Sequence, residues 1–412
     1  MTDAHRARAR TSLVLFGVLV PLVAATAVGL VALWPSGEPQ RTGVIAVDTE
    51  YPVAVITTTE VTTCAGANED RRPDGTIPST VACTLVGATV QSGDQAGRVI
   101  QVWAPATVRP QDATPSTKIV LARYLESGQE EEVWAWQDFS RTVPLGLLAG
   151  AYSIVVIAVA GLRGLRSLLG LGFAFVVLGT FMLPALLQGR DPLAVGVVGS
   201  AAIMLVVLYL AHGLSHRTTT ALLGTFAGLG VTAVLGVVAA GAARLNGITS
   251  EETYRLAMLT GQLDGYALRG LFLAGVVLAG LGVLNDVTIT QASAVWELSA
   301  ADPSATAGQL FSRGMRIGRD HIASTVYTIA FAYAGAALPV LLLVQVYRMP
   351  ALQTFSSGQF AEEIARTAVG SIGLVLAIPL TTLIAVAVVR AAPQRPARHR
   401  ARPTAHEGGL HH

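Results

Sequence analysis

Residues 266–298 read YALRGLFLAGVVLAGLGVLNDVTITQASAVWEL, and their composition changes in the middle. Up to Leu284 the run holds small, aliphatic and aromatic side chains with Arg269 as its one charge. Its length is close to the roughly 20 helical residues that cross the hydrocarbon of a bilayer. From Asn285 onward, Asp286, Thr290, Ser293 and Glu297 recur at i, i+4, i+7 and i+11. In a helix that spacing puts two carboxylates and two hydroxyls on one face. Such a stripe is either the solvated face of an interface helix or the wall of a watery path that meets a cation through oxygens. Depth separates the two readings. A straight helix from Tyr266 has used up the hydrocarbon at Asp286, at about 1.5 Å per residue. A break at Gly280-Leu281-Gly282 would let the segment re-enter and place the stripe deep. Both readings stay open at this point.

The next stretch, GMRIGRDHIASTVYTIAFAYAGAALP (314–339), carries the second polar group of the chain. Arg319, Asp320 and His321 precede Ser324, Thr325 and Thr328, and His321 shares a helical face with Thr325 and Thr328. Farther in come Tyr333, Gly335 and Pro339; proline has no N–H to offer the Gly335 carbonyl, which leaves that oxygen as an ion or substrate contact. The plainer reading is a packing kink, as at Pro184 and Pro379. His321 beside Asp320, if it faced Asp286 and Glu297, would form a pH-sensitive gate; alone it is an interface histidine. The candidate pathway is therefore Asp286, Thr290, Ser293, Glu297, Asp320, His321, Tyr333 and Gly335.

Working outward, the whole chain has the composition of a protein held mostly in lipid. It is 52% hydrophobic and 13% charged, whereas soluble domains carry about 25% charged residues. Its mean hydropathy is +0.55. The net charge of +2 is too small to imply nucleic acid, and the basic residues cluster beside apolar runs instead of forming one face. Lys118 is the only lysine. Apolar runs at 11–34, 143–161, 167–187, 192–211, 218–242, 266–284, 322–347 and 367–389 predict about eight crossings. Short cytoplasmic loops retain arginine. Placing the N-terminus inside puts Arg6, Arg8, Arg10, Arg163, Arg166, Arg217, Arg313, Arg316, Arg319 and the Arg390–Arg402 cluster in the cytoplasm. Both termini are then cytoplasmic in a multi-pass cell-membrane protein. The first run also has features of a cleaved signal peptide, with Ala25-Thr26-Ala27 after its apolar body; its length and the interface residue Trp34 favour an uncleaved anchor.

The predicted organisation is a basic tail (1–10), an anchor (11–34), an extracytoplasmic β domain (35–142), a seven-span domain (143–389) and a basic disordered tail (390–412). Strand-like alternation marks the second folded piece at 53–63, 81–90, 98–103, 118–124 and 132–136, broken by Pro, Gly and Asp. A small barrel or sandwich fits that pattern. Both cysteines, Cys64 and Cys83, fall there, where a disulfide between neighbouring strands is permitted; unlinked thiols are the other reading. Their spacing suggests no metal site. Capping signals open short helices outside the spans at Thr249–Glu252, at Ser356–Gln359 and at Asp302-Pro303-Ser304. No GxxxxGK[ST], GxSxG or HExxH occurs, and Gly228-Leu229-Gly230 lies inside an apolar run as a packing feature. No enzyme activity and no cofactor are expected.

Several of these motifs together resemble the bacterial YibE/YibF-like membrane protein family. They are Gly282-Val283-Leu284-Asn285-Asp286-Val287-Thr288, Gln291-Ala292-Ser293-Ala294-Val295-Trp296-Glu297-Leu298, Gly318-Arg319-Asp320-His321-Ile322-Ala323-Ser324-Thr325-Val326 and Ala332-Tyr333-Ala334-Gly335-Ala336, with Trp136-Gln137-Asp138-Phe139-Ser140-Arg141 ahead of the second span. The resemblance implies a multi-pass membrane protein, often taken to be a permease, and supplies no substrate or catalytic residues.

Two functional expectations follow from the residues. One is secondary transport of a small polar solute or ion along the sixth and seventh spans. The other is an envelope protein whose β domain binds a protein partner while the spans anchor or signal. The arginine distribution predicts that a reporter fused after Arg390 reads cytoplasmic and one inserted near Asp74 reads external; an external signal from the C-terminal fusion would refute the span assignment.

Overall fold

The computed structural model describes residues 3–37, 49–125, 132–261, 265–347 and 350–391. The basic tail expected after Arg390 lies, beyond Ala391, outside the described residues. The chain forms two units, one of Arg41–Gly161 and one of Met1–Gln40 with Leu162–His412.

In the smaller unit the alternating sequence becomes five antiparallel strands: β1 (Val53–Ala65), β2 (Thr80–Val90), β3 (Val99–Trp103), β4 (Lys118–Leu125) and β5 (Glu132–Phe139), in the order β3-β2-β1-β4-β5. Side chains alternate across a pleated strand. Ala54, Ile56, Val86, Ala88, Val90, Ile100, Val102, Ile119 and Leu121 therefore all reach one core. A register shift between Ile56 and Thr58 lets β1 bend, so that its start pairs with β4 and its whole length with β2. The edge strands β3 and β5 come near each other, which gives an open five-stranded barrel. Cys64 and Cys83 are joined across β1 and β2 with their Cα atoms 5.9 Å apart.

Charge gathers at the mouth of that barrel. Arg123 on β4 donates from Nη1 to Glu50 at 3.0 Å and Asp94 at 2.6 Å and from Nη2 to Glu132 at 2.5 Å. Arg98, beside β3, donates to the other Glu132 oxygen at 3.2 Å. Glu132 thus ties the two edge strands together, and the Trp134 ring lies under both guanidinium groups.

The unit ends in a helix. The helical run α2 (Thr142–Val177) leaves β5 and breaks at Gly161, whose φ of 59° is left-handed and whose ψ is not helical. Its first half is almost wholly exposed, with Val143, Leu145, Leu148, Ile154 and Val159 facing outward. A helix so apolar on every side is a membrane helix. The unit therefore extends past the expected boundary at residue 142.

The larger unit is helical. It contains α1 (Asp3–Leu33) and the part of α2 after Gly161, which passes through a π turn (Leu178–Met182) into α3 (Leu183–Leu187). Then come α4 (Pro192–His212), α5 (His216–Ala242), α6 (Glu251–Thr260), α7 (Gly265–Ala301), α8 (Ala307–Ala336), α9 (Leu338–Tyr347), α10 (Ala351–Phe355) and α11 (Gly358–Ala391). At its centre α5, α7 and α11 pack on one another, with α4 against α7 and α8 against α11. Small residues allow the approach. A Cβ on Gly224 would overlap the Thr381 hydroxyl, and one on Gly373 would overlap the hydroxyl of Thr232.

Among the described residues, six helical runs are long and apolar enough to cross a membrane: Leu15–Leu33, Thr142–Leu187, Pro192–His212, His216–Ala242, Ala267–Ala301 and Phe360–Ala391. The sequence reading divided the second into two crossings and added residues 322–347. That last segment is split, because α8 ends at Ala336 and α9 begins at Leu338, immediately before Pro339. Of the two readings left open, the straight helix holds, and the break at Gly280–Gly282 that re-entry would need does not occur. α7 is one helix of 37 residues, about 55 Å long, nearly twice the hydrocarbon thickness. The cap signals are displaced by a few residues: Ser250 and not Thr249 caps α6, and α8 starts behind a capping box of Thr306 and Gln309 and not at Asp302.

The Arg123 guanidinium, bonded to Glu132, holds that carboxyl below the usual value of 4.5. A depressed carboxyl contributes stability that is complete above its unfolded pKa and lost as pH falls through its folded one. The β domain is expected to lose melting temperature below pH 4.5, and Glu132→Gln should flatten that loss; identical pH slopes by tryptophan fluorescence would refute it.

Candidate functional site

The stripe predicted on α7 forms, but it faces away from the interior. Asp286 and Glu297 are exposed, and Thr290 and Ser293 are half-buried. The Thr290 hydroxyl is spent on the Asp286 carbonyl at 2.8 Å, one turn back. Glu297 accepts from Arg217 Nη2 at 2.8 Å, across from the first turn of α5. On α8, Asp320 is exposed and His321 half-buried, with the His321 carbonyl accepting from Thr325 at 2.8 Å. Tyr333 packs with Ile329 against Val287, Leu374 and Ile378, among aliphatic side chains. The Gly335 carbonyl is not left free, because the Ala337 N–H points at both it and the Tyr333 carbonyl. The carboxylate of Glu297 thus meets an arginine of α5 and not the expected histidine of α8.

The polar residues that α7 does bury lie on its other face. Thr288 is 0% exposed and Gln291 3%. Gln291 Nε2 donates to the Gly314 carbonyl at 2.9 Å and to Thr382 Oγ1 at 2.8 Å, which links α7, α8 and α11. Thr382 in turn donates to the Ile378 carbonyl at 2.7 Å. The Thr288 hydroxyl lies 2.7 Å from that of Thr225 on α5, which also donates to the Ala221 carbonyl. Gly318 is glycine for a similar reason: a Cβ there would strike Ile378 and crowd Gln291. Sequence spacing missed this face because Thr288 and Gln291, three apart, sit between the residues of the more strongly charged stripe.

At one end of the helical unit is a cavity of about 300 Å³. Leu178 and Met182 of the π turn, Phe272, Gly275 and Leu278 of α7, and Glu362 and Arg366 of α11 line it. Glu362 is 8% exposed, and its two oxygens accept from the Gly247 N–H at 3.0 Å and the Thr249 hydroxyl at 2.6 Å. Arg366 stacks over Phe272 at 5.4 Å and lies 3.5 Å from Glu363; its Nε is buried without a hydrogen-bond partner among the described residues. Neither charge belongs to the pathway predicted from sequence. The partners of Glu362 lie 115 and 113 residues away in the chain, so no local pattern marks it.

The opposite end holds a larger cavity, about 800 Å³, lined by Arg163 and Arg166 after the α2 break, His212 at the end of α4, His216 and Arg217 at the start of α5, and Ser293 and Trp296 of α7. Ser293 is the one member of the predicted pathway on this wall. Other arginines gather at this end too. Arg313 pairs with Asp302 at 2.9 Å, and Arg390 donates to the Ala305 carbonyl at 2.9 Å. The Ser304 hydroxyl first, and Arg313 next, hold Asp302 below the usual carboxylate range.

Bundled apolar helices, buried interhelical hydrogen bonds and a small β barrel define a multi-pass helical membrane protein with an appended β domain. The YibE/F-like protein family model matches residues 148–391, and the chain belongs to that family. No curated protein and no solved structure matches the chain.

Removing a partner from a satisfied buried network costs about 1–3 kcal/mol, whereas exposed substitutions stay within about 0.5 kcal/mol. Gln291→Leu should therefore lower the melting temperature of the purified protein clearly, and Asp286→Asn should leave it unchanged; the reverse order would place the structural polar face on the stripe.

Proposed function

We propose that this protein is a permease that moves a small polar solute or ion across the cell membrane, with both termini in the cytoplasm. The observation that carries the reading is the buried Glu362 beside Arg366 at the mouth of the smaller cavity. A carboxylate held inside a membrane bundle is costly, and such groups mark substrate and ion paths. From there one face of α11 continues through Gly373, Ala377 and Thr381 at helical spacing, against Gly224, Gly228 and Thr232 of α5. That seam leads toward the Thr225–Thr288 and Gln291–Thr382 contacts. Between the two cavities Val277, Leu281 and Leu284 are buried, so passage requires the helices to part.

The gathering of Arg163, Arg166, Arg217, Arg313 and Arg390 at one end supports placing that end in the cytoplasm. The run Thr142–Leu187 has 46 residues and is broken at Gly161, and each of its two parts is about long enough for one crossing. With a further crossing through α8 and α9, this reading has eight.

A second reading has its own support. The middle of the bundle is packed shut, and neither Asp286 nor Tyr333 lines the two end cavities. An envelope protein whose β domain binds a partner, and whose spans anchor it, needs no open path.

Solute accumulation in deletion cells complemented with matched amounts of each variant separates these readings. Glu362→Gln and Arg366→Gln should abolish accumulation by about tenfold or more, the scale of a lost charged hydrogen bond, while Asp286→Asn is silent. Loss in Asp286→Asn alone would move the path to the α7 stripe. Equal accumulation in deletion and wild-type cells would refute transport in favour of the anchoring role.

A further inference from the structure

The larger cavity does not end at its polar wall. Ser215 and His216, at the turn from α4 into α5, line it and also line a neighbouring groove of about 510 Å³. The rest of that groove is apolar or aromatic in the main: Leu15, Phe16 and Leu19 of α1, Tyr209 of α4 and Leu214 of the turn. One compartment therefore offers guanidinium groups, and the compartment sharing its wall offers hydrocarbon.

Three arginines face the polar compartment. Arg217 is partly engaged by Glu297 at 2.8 Å. Among the described residues neither Arg163 nor Arg166 forms an ion pair, and both side chains are exposed toward solvent. They stand at i, i+3 just past the break at Gly161, on the same side of the helix. Guanidinium groups suit phosphate because their planar forks present paired N–H donors to its oxygens. The depth is also defined: α4 ends at His212 and α5 begins at His216. Trp296 in the cavity and Tyr209 in the groove are the residue types that sit at headgroup level.

We propose that the arginine-lined cavity and the adjoining groove together bind an anionic phospholipid, its phosphate held by Arg163, Arg166 and Arg217 and an acyl chain laid along Leu15, Phe16 and Leu19. Basic pockets between membrane helices at the arginine-rich side recognise such headgroups. A free phosphate would satisfy the arginines and leave the groove unfilled; a neutral lipid would fill the groove and leave Arg163 and Arg166 without a counter-charge. An anionic phospholipid matches both. The site does not depend on the permease reading, since it is defined by binding to the resting protein and an anchoring protein would hold the same lipid.

The test uses the purified full chain in neutral detergent and follows its melting temperature during titration with short-chain phosphatidylglycerol, phosphatidylcholine of the same chain length, and glycerol phosphate. Phosphatidylglycerol should raise the melting temperature saturably, and the other two should not at equal concentration. Arg163→Gln and Arg166→Gln, both exposed and thus tolerable to the fold, should each shift the half-saturation point by about tenfold, the worth of one charged hydrogen bond. Phe16→Ala should weaken the response to the lipid and leave the unliganded melting temperature in place. An equal response to phosphatidylcholine, an equal response to glycerol phosphate, or unchanged titrations in both arginine variants would each overturn the assignment. A glycerol phosphate response abolished by the arginine variants would mean a soluble phosphate site instead of a lipid site.

Discussion

In a bilayer, helices gain no hydrophobic energy by leaving lipid for one another, because the tails are as apolar as leucine. What holds this bundle together is the close approach of α5, α7 and α11. That approach exists because glycine on one helix meets a hydroxyl on the next, as Gly224 meets Thr381 and Gly373 meets Thr232. Once the backbones are this near, Thr225 reaches Thr288 and Gln291 reaches both Thr382 and the Gly314 carbonyl. Interhelical hydrogen bonds of this kind are individually modest, about 0.6 kcal/mol on average. Their weight comes from linkage: Gln291 alone connects three helices, so α8 is positioned by the same contact that orders α7 against α11.

That central seam also sorts the polar residues into two groups. Those pointing inward are neutral, apart from Glu362, which accepts from Gly247 and Thr249, and Arg366 one turn along α11. Those pointing outward, Asp286 and Asp320 among them, are exposed where α7 and α8 leave their faces uncovered. The cavities at the two ends hold the charged groups: Glu362 and Arg366 at one end and an arginine cluster at the other.

The β barrel solves a different problem. With no lipid to cover it, it closes on a core of short aliphatic side chains and manages its open edges electrostatically, Glu132 on β5 bonding Arg98 beside β3 and Arg123 on β4. Masking an edge with charge is a recurrent device against unwanted strand pairing. The Cys64–Cys83 bridge fastens the ends of β1 and β2 that extend beyond the neighbouring strands.

The membrane class, the five strands and the single-helix stripe of Asp286, Thr290, Ser293 and Glu297 were legible in the sequence, because each is a local periodicity: long apolar runs, alternation at two, and recurrence at three and four. Family membership was legible too, in motifs that local composition does not explain. The tertiary structure decided which face of α7 is buried. Periodicity defines a face but not its neighbour, and the neighbour was set by glycines on α5, α8 and α11 that carry no side-chain signal of their own. It decided the break between Ala336 and Leu338, beside Pro339, where sequence predicted one unbroken crossing. And it decided that Glu362, an unremarked residue at the start of a span, meets Gly247 and Thr249 across more than a hundred residues, while Glu297 meets Arg217. Contacts at that separation leave no periodic trace in a single chain, since they are fixed by the packing of whole helices and not by spacing along any one of them.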